Sequence, residues 1–240
     1  MSCISDSFSS QPFPHTGRLK QNMNLSLEDL RRKIGATDAV ADVYSYIIAS
    51  VKNREGAFIQ KGSAPNFQGD IISLCTCKHF MRTFRDIDSW MNTWIAGFTG
   101  INEWDRKNVL IYLMKIGSAF ESYDELWFSD KLHYTAKQAK LAHRNKFGDI
   151  FQPKSKPINK NVFNHQHYRS PVSEHGHKNE NGWHKDINYK KHDRRAALLI
   201  GDKKYSFLWD EPILFHLKQL HRGQKKYKLQ SLLALIRQVR

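Results

Sequence analysis

The sequence predicts an α+β protein, with a curved mixed sheet or small open β-barrel, flanking helices and a long basic insertion. Three observations predict this class. Segments rich in β-branched and aromatic residues alternate with turns that contain Gly, Pro and Asn. Short segments with helix-capping residues lie before and after them. Apolar residues make up 40% of the 240 residues, including 14 Phe, nine Tyr and six Trp, so a substantial core can form.

Residues 1–40 are predicted to form a leader and a short helical extension. Ser26 precedes an acidic first turn and Gly35 follows Ile34, so a capped helix is expected between them. Thr37-Asp38 could start a second helix, and the pair would then suggest a helix-turn-helix. A DNA-reading helix needs exposed basic side chains, which residues 36–51 almost lack, so a brace packed on the main domain is favoured.

The main domain is expected over residues 43–210. Its first four predicted strands are 43–48, 70–77, 93–98 and 108–116. The last of these is almost wholly apolar, which is typical of a strand at the centre of a sheet or in a barrel wall. A helix capped by Ser122 is expected to follow.

Residues 131–195, called the insertion below, differ in composition from the rest. They carry 15 Lys and Arg against five Asp and Glu, with three Pro, and six His lie between His165 and His192. Little helix or strand periodicity is visible, so a long loop-like insertion is predicted. Long loops in compact domains are often functional.

After the insertion, a hairpin is predicted from 195–201 and 205–209, turning at Gly201-Asp202. Residues 211–240 are predicted to be a basic helical extension, with helices over 213–220 and 229–239. A basic run lies between these two helices.

The net charge is +15 and the isoelectric point is about 9.7, which favours a polyanionic partner. No run of 18 apolar residues predicts a membrane span, and the first 20 residues lack an apolar signal core. Three cysteines do not make a disulfide framework. A cytoplasmic protein without a membrane partner is therefore expected.

A group of basic residues is predicted to contact phosphates. Lys78, Arg82 and Arg85 follow a predicted strand closely and could converge on one phosphate, although a solvated basic turn explains them equally well. The full set of predicted nucleic-acid contacts is Lys78, Arg82, Arg85, Arg222, Lys225, Lys226 and Lys228.

A pocket for a base is predicted beside them, because aromatic side chains can stack on a flipped or modified base. Its predicted residues are Cys77, Trp90, Trp94, Tyr112 and Asn66. Most tryptophans in a globular protein are core residues, so only part of this set is expected to line a pocket.

The cysteines and histidines raise the question of catalysis. Cys75 and Cys77 share one face of a predicted strand and could bind zinc, but two buried thiols are the simpler interpretation. Cys77-Lys78-His79 shows no signature of an activated nucleophile. The histidine pairs of the insertion could hold a metal ion, but a polar surface loop is favoured. No catalytic residue, metal or cofactor is therefore predicted.

A series of short motifs resembles a known family, the second of the numbered "nucleotide modification associated domain" families. The motifs are, in order, Tyr44-Ser45-Tyr46, Ala64-Pro65-Asn66, Leu74-Cys75-Thr76-Cys77-Lys78, Met81-Arg82, Trp94-Ile95-Ala96-Gly97 and Leu110-Ile111-Tyr112-Leu113-Met114-Lys115. The resemblance covers roughly residues 44–239. The chain departs from the family pattern at Asn92-Thr93, where Gly-Asp is usual, and in its His- and Lys-rich insertion.

The resemblance implies a role connected with DNA-base modification and defence systems, in which the family is found by genomic association. Its strand pattern is also similar to the PUA-like group, which includes EVE and ASCH domains. The expected function is recognition of a modified base or nucleotide, with nucleic acid, DNA above all, as the partner. The alternatives are an enzyme that uses Cys77 or a His-bound metal, and a scaffold subunit that binds a protein partner in a defence complex.

Overall fold

A computed structural model describes residues 13–14, 17–36, 38–144, 146–158, 160–172, 181–220 and 223–239. The helices are α1 (Gly17–Lys20), α2 (Leu27–Ile34), α3 (His79–Arg82), α4 (Tyr123–Phe128), α5 (Tyr134–Ala139), α6 (His184–Asn188) and α7 (Leu229–Leu235), with 3₁₀ turns at Asp88–Trp90 and His165–His167. The strands are β1 (Asp42–Ile47), β2 (Val51–Arg54), β3 (Ala57–Gln60), β4 (Ser73–Leu74), β5 (Trp94–Phe98), β6 (Asn108–Phe120), β7 (Lys190–Lys191), β8 (Arg194–Arg195), β9 (Leu198–Leu208), β10 (Leu214–His216), β11 (Lys225–Lys228) and β12 (Ile236–Gln238).

Eight of the described strands form one mixed sheet, which curls strongly into a half-barrel. Its strand order is β11-β1-β5-β6-β10-β12, and β9 also pairs with β6 and carries β4 on its other side. β1 and β5 run parallel, whereas the other pairs in the sheet are antiparallel. The predicted α+β class with a curved mixed sheet is confirmed.

Both faces of the sheet are covered, which explains the apolar run in β6. Ile111 and Met114 pack into one buried cluster, and Leu110 and Leu113 into another on the opposite face. A strand between two apolar layers cannot alternate between apolar and polar residues. The predicted central position of this strand is confirmed, since β6 pairs with β5, β9 and β10.

The helix α2 has the bounds and caps that the sequence predicts. The Ser26 hydroxyl accepts from the Asp29 amide at 3.0 Å, and the Gly35 amide donates to the Arg31 carbonyl at 3.0 Å. Leu30 and Ile34 pack on the sheet beside α7. The prediction of a second helix starting at Thr37-Asp38 was wrong, because residues 38–41 form a turn before β1. The brace interpretation of α2 is therefore the one that its packing supports.

The predicted hairpin at 195–209 was wrong. β9 is one continuous strand along β6, and its register jumps from Ser206 opposite Met114 to Gly201 opposite Ile116. The extra residues form a bulge, in which the Asp202 carboxylate accepts from the amides of Lys204 and Tyr205 at 2.7 and 3.1 Å. The Gly-Asp signal therefore marks a local loop that returns to the same partner strand.

The predicted helix over 213–220 was also wrong, because this segment contains β10. The helix predicted over 229–239 exists only as α7, and the chain then continues into β12. The basic run before α7 is the edge strand β11, paired with β1. β10 pairs with β6 and β11 pairs with β1, and both partner strands are far away in the sequence. The hydrogen bonds of this pairing outweigh the local helix propensity.

Other strand predictions differ in extent. The strand predicted over 70–77 is reduced to the two residues of β4, and the hairpin of β2 and β3 was not foreseen. The insertion contains α5, α6 and the β7–β8 ladder. Its apolar side chains, among them Leu141, Ile150 and Tyr168, form a third buried cluster, so the expectation of a loop with little structure was wrong.

A buried polar network attaches the insertion to the sheet. Asp149 accepts from the Ser73 hydroxyl at 3.0 Å and from the Cys75 amide at 3.2 Å. The Lys140 ammonium donates to the side-chain oxygen of Asn66 at 2.9 Å and to its carbonyl at 3.1 Å. Burial raises the pKa of Asp149 to about 6 and lowers that of Lys140 to about 8.

Candidate functional site

A cavity lies at the edge of the sheet where β1 and β5 end, and is called the strand-end cavity. Its volume is about 750 Å³, within the usual range of small-molecule sites. Its walls come from the end of β1, from the segments that follow β1 and β5, and from the start of β6, with further residues from β2 and from the segments before α3 and after β10. The lining residues are Tyr46, Ile47, Ile48, Ala49, Ser50, Lys52, Ala64, Cys77, Lys78, Gly100, Ile101, Asn102, Glu103, Asn108, Gln219 and Leu220.

The topology explains why a cavity forms here. β1 and β5 are parallel neighbours, so both chains leave the sheet at the same edge. In open α/β sheets, ligands bind in the crevice outside the carboxyl ends of such strands. In this mixed sheet the same geometry leaves a crevice between Ile48–Ser50 on one side and Gly100–Asn102 on the other.

Lys78 is the partly buried cation of the strand-end cavity. It has a left-handed backbone conformation, with φ of 56°, directly before α3. Its ammonium nitrogen lies 4.8 Å from the centroid of the Tyr46 ring, and burial lowers its pKa. Within the described part of the chain, no carboxylate forms an ion pair with Lys78. A cation in partly desolvated surroundings attracts an anion more strongly than one in bulk water.

A second lysine on the cavity wall is already paired. The Lys52 ammonium lies 2.6 Å from a carboxylate oxygen of Glu103, and the other oxygen of Glu103 accepts from the Asn53 amide at 3.1 Å. Both carboxylate oxygens of Glu103 are therefore bound to β2, and its charge is balanced by Lys52. Lys78 is left as the cation of the cavity whose charge is not balanced by a carboxylate of the described residues. Asn102 and Gln219 are exposed at the cavity and carry amide groups that can both donate and accept.

A buried pair of tyrosines, Tyr46 and Tyr112, lies beside the cavity, and Tyr46 is one of its lining residues. The hydroxyls of Tyr46 and Tyr112 are 2.8 Å apart, and burial raises the pKa of both. The Tyr112 ring crosses Gly97 so closely that an added Cβ would lie 2.3 Å from it. Gly97, part of the Trp-Ile-Ala-Gly motif, therefore permits the ring that holds Tyr46 in place.

Of the predicted base pocket, only Cys77 lines the strand-end cavity. Trp90, Trp94 and Tyr112 are fully buried in the apolar clusters, so they cannot face a base and this prediction was wrong. Asn66 is also fully buried, and its amide group holds Lys140 and the Phe147 carbonyl. The rings of Trp90, Trp94 and Tyr112 therefore belong to the core and do not line the cavity.

The prediction that Arg82 contacts phosphate was wrong. Its side chain is fully buried, and its guanidinium donates to four backbone carbonyls. The acceptors are the carbonyl oxygens of Thr76, Cys77, Ala196 and Ala197, at 2.6 to 3.2 Å. Arg82 therefore joins the segment before α3 to the residues that directly follow the insertion.

Arg85 and the basic edge strand meet at one acid. A nitrogen of Arg85 lies 3.1 Å, and those of Lys226 and Lys228 each 2.9 Å, from oxygens of Asp42. These bonds, led by that from Lys226, lower the pKa of Asp42 to about 2. Lys225 is exposed on the same strand. The structure thus groups these four cations on the sheet edge, apart from the cavity lined by Lys78.

Arg222, the remaining predicted contact, lies outside the described residues, as do His175 and His177. Within the part of the chain that is described, no three His, Cys, Asp or Glu side chains come together to form a metal site. His165 and His184 stack with ring centroids 3.5 Å apart. The described helices include none that is both long and apolar enough to cross a bilayer.

The sequence signal for the cavity was incomplete. Lys78 and Cys77 lie in a recognisable sequence motif, whereas no sequence motif marks Lys52, Asn102, Glu103 and Gln219 as site residues. The Thr99-Gly100 turn indicated only that a strand ends. That it ends beside β1 depends on a parallel pairing, which no local pattern encodes.

Comparison with known proteins adds a family assignment. The model of the family described as nucleotide modification associated domain 2 matches residues 40–237. The chain belongs to this family. The family resemblance seen in the sequence is therefore confirmed. The description of the family indicates a role connected with the modification of nucleotides or nucleic acids. The match covers the sheet up to its end within β12, and so includes β10 and β11. No curated protein and no solved structure matches the chain.

Proposed function

We propose that this protein binds a nucleotide in the strand-end cavity, either free or as a modified base extruded from DNA, within a DNA modification or defence system. The observation that carries the proposal is the cavity itself, of about 750 Å³, with Lys78 at its wall and no carboxylate paired to that lysine among the described residues. Membership of the nucleotide modification family supports the ligand class.

The wall chemistry fits a nucleotide. The Lys78 ammonium supplies one charge-assisted contact to a phosphate. The amides of Asn102 and Gln219 can read the hydrogen-bonding edge of a base, because each offers a donor and an acceptor. Ala49 and Gly100 leave room between these polar groups. The proposed activity is recognition, and the exposed cations of the β11 edge add affinity for the polyanion around the bound base.

The test is calorimetric titration of the full-length protein with deoxynucleoside monophosphates, unmodified and 5-hydroxymethylated, and with the matching nucleosides. Lys78→Gln should weaken monophosphate binding by at least about tenfold, because a charged hydrogen bond is worth about 1.5–3 kcal/mol. Nucleoside binding, which lacks the phosphate, should change little. Lys203→Gln, at an exposed lysine of the β9 bulge, is the control.

A second variant tests the location. A Cβ on Gly100 would have one atom within 4 Å, a methyl carbon of Ile47 at 4.0 Å, so a larger side chain can enter the cavity without a clash. Gly100→Met should abolish monophosphate binding and leave the melting temperature nearly unchanged. Unaltered binding by both Gly100→Met and Lys78→Gln, or no binding by the unmodified protein, would refute the proposal.

A further inference from the structure

A second concave surface lies on the insertion and is called the insertion groove. Its volume is about 620 Å³ and it is wide open to solvent. One wall is α6 with the residues that follow it, and the other is Phe163 with Arg195 of β8. Its described lining contains three cations, two amides and two aromatic rings, but no carboxylate. These residues are Asn161, Phe163, Lys185, Asn188, Tyr189, Lys190 and Arg195.

Two of the cations and one of the amides lie on α6 and the residues directly after it. Lys185 and Asn188 are three residues apart on α6, which places them on one helix face. Both are exposed, as is Lys190, whose ion pair with Asp193 at 3.0 Å involves a carboxylate that is almost wholly solvated. Such a pair holds its lysine weakly, so Lys190 can exchange Asp193 for a phosphate.

The opposite wall provides a flat surface. The Arg195 guanidinium carbon lies 3.3 Å from the centroid of the Phe163 ring, so its planar group covers one face of that ring. Its side chain is still 24% exposed, and Glu121 is 3.8 Å away. A guanidinium stacked on an aromatic ring is a known platform for unpaired bases, because each base presents a π face.

The groove is joined to the strand-end cavity through α3. Lys78, directly before α3, lines the cavity. His79, the first residue of α3, stacks on the Tyr189 ring of the groove at 5.0 Å and lies 2.6 Å from the buried Asp186 of α6. Adjacent residues of one segment thus face the two sites.

We propose that the insertion groove binds single-stranded nucleic acid, with Lys185 and Lys190 on successive phosphates and a base stacked on the Phe163–Arg195 pair. A duplex fits this surface poorly, because its bases are stacked on one another and leave no face for Arg195. The insertion, with its ten excess positive charges, is then the part of the chain that holds the strand beside the cavity.

The test measures fluorescence anisotropy with labelled 12-mers of deoxythymidine and of uridine, and with a 12-base-pair duplex, from 50 to 300 mM KCl. Lys185→Gln/Lys190→Gln should lower the slope of log affinity against log salt by roughly 1.4, at about 0.7 per phosphate contact. The control Lys20→Gln/Lys203→Gln removes the same charge from two other exposed lysines and should leave the slope unchanged.

Arg195→Lys tests the stacking contact. It keeps the charge but loses the planar group, so single-strand affinity should fall at least about fivefold with the salt slope unaltered. The two 12-mers distinguish DNA from RNA as the preferred strand. Equal losses in the groove and control double variants, or tighter binding of the duplex than of both single strands, would overturn the inference. The mononucleotide titration of Lys78→Gln uses another ligand and another site, so the two proposals can fail separately.

Discussion

At the scale of single residues, the burial of a polar group decides its role. Arg82 and Lys78 are four positions apart in one basic segment, and the sequence predicts a phosphate contact for both. In the folded chain, Arg82 is enclosed by carbonyls while Lys78 lines a cavity. A fully buried guanidinium with four backbone acceptors stabilises the fold, because its donors have replaced the hydrogen bonds they made to water.

Arg82→Lys should therefore destabilise the protein by about 3 kcal/mol, since lysine cannot reach four carbonyls with one ammonium. Urea unfolding followed by tryptophan fluorescence measures the loss. Arg106→Lys, at an exposed position, should change the free energy of unfolding by less than about 0.5 kcal/mol. Weaker DNA binding by Arg82→Lys with wild-type stability would instead support a phosphate contact.

Asp149 gives a pH dependence. Burial raises its pKa to about 6, from about 3.9 in the unfolded chain. Between pH 4 and 6 the native state thus retains a proton that the unfolded state has lost. The contribution of Asp149 to the free energy of unfolding is fully present below pH 4 and is lost as the pH rises through 6.

The free energy of unfolding of the wild type, minus that of Asp149→Asn, should fall by on the order of 2 kcal/mol from pH 4 to 6. Urea titrations at pH 4, 5, 6 and 7 provide this difference. Asparagine can keep both contacts, since it accepts from the Cys75 amide and donates to Ser73. The same difference for the exposed Asp130→Asn should stay flat. A difference that rises between pH 4 and 6 would contradict the buried, protonated state.

At the scale of secondary-structure elements, local signals located helix ends and turns well but not strand partners. The caps of α2 and α4 are where Ser26 and Ser122 predict them. The turn signal at Gly201-Asp202 is real, yet it forms a bulge because both flanking segments pair with β6. The local pattern of the segment containing β10 predicts a helix, because its partner strand β6 lies about a hundred residues away in the sequence.

The C-terminal elements complete the sheet. Leu232 of α7 is fully buried and packs in the same cluster as Leu30, Val43 and Trp94. Leu232→Ala should cost about 3 kcal/mol, whereas Ser231→Ala, at an exposed neighbour, should cost less than about 0.5 kcal/mol. Both are measured by chemical denaturation. If Leu232→Ala left the unfolding midpoint unchanged, α7 would be an appendage without a role in the fold.

At the scale of the whole molecule, charge is the dominant property. The net charge of +15 is spread over the β11 edge, the insertion and the cavity wall. A surface of this kind attracts polyanions over a distance of about a Debye length. Nucleic-acid affinity should therefore depend on salt more strongly than nucleotide affinity does.

Raising KCl from 50 to 200 mM should weaken binding of a 20-base-pair duplex at least about tenfold, because two neutralised phosphates already account for such a loss. Binding of a monophosphate, which has no condensed counterions to release, should depend on salt less steeply, through ordinary screening alone. Anisotropy and calorimetry measure the two constants in the same buffers. Equal salt dependence of both ligands would show that the basic surface makes no contact beyond the cavity.

The sequence alone determined the fold class, the helix caps, the central position of β6, the basic character and the family, because each depends on composition, local pattern or ordered motifs. It identified Lys78 and Cys77 but placed Trp90, Trp94, Tyr112 and Asn66 in a pocket. Only the tertiary structure decided which of these side chains face solvent. The strand-end cavity exists because β1 and β5 pair in parallel across about fifty residues of chain, and such long-range pairing leaves no mark in the local sequence.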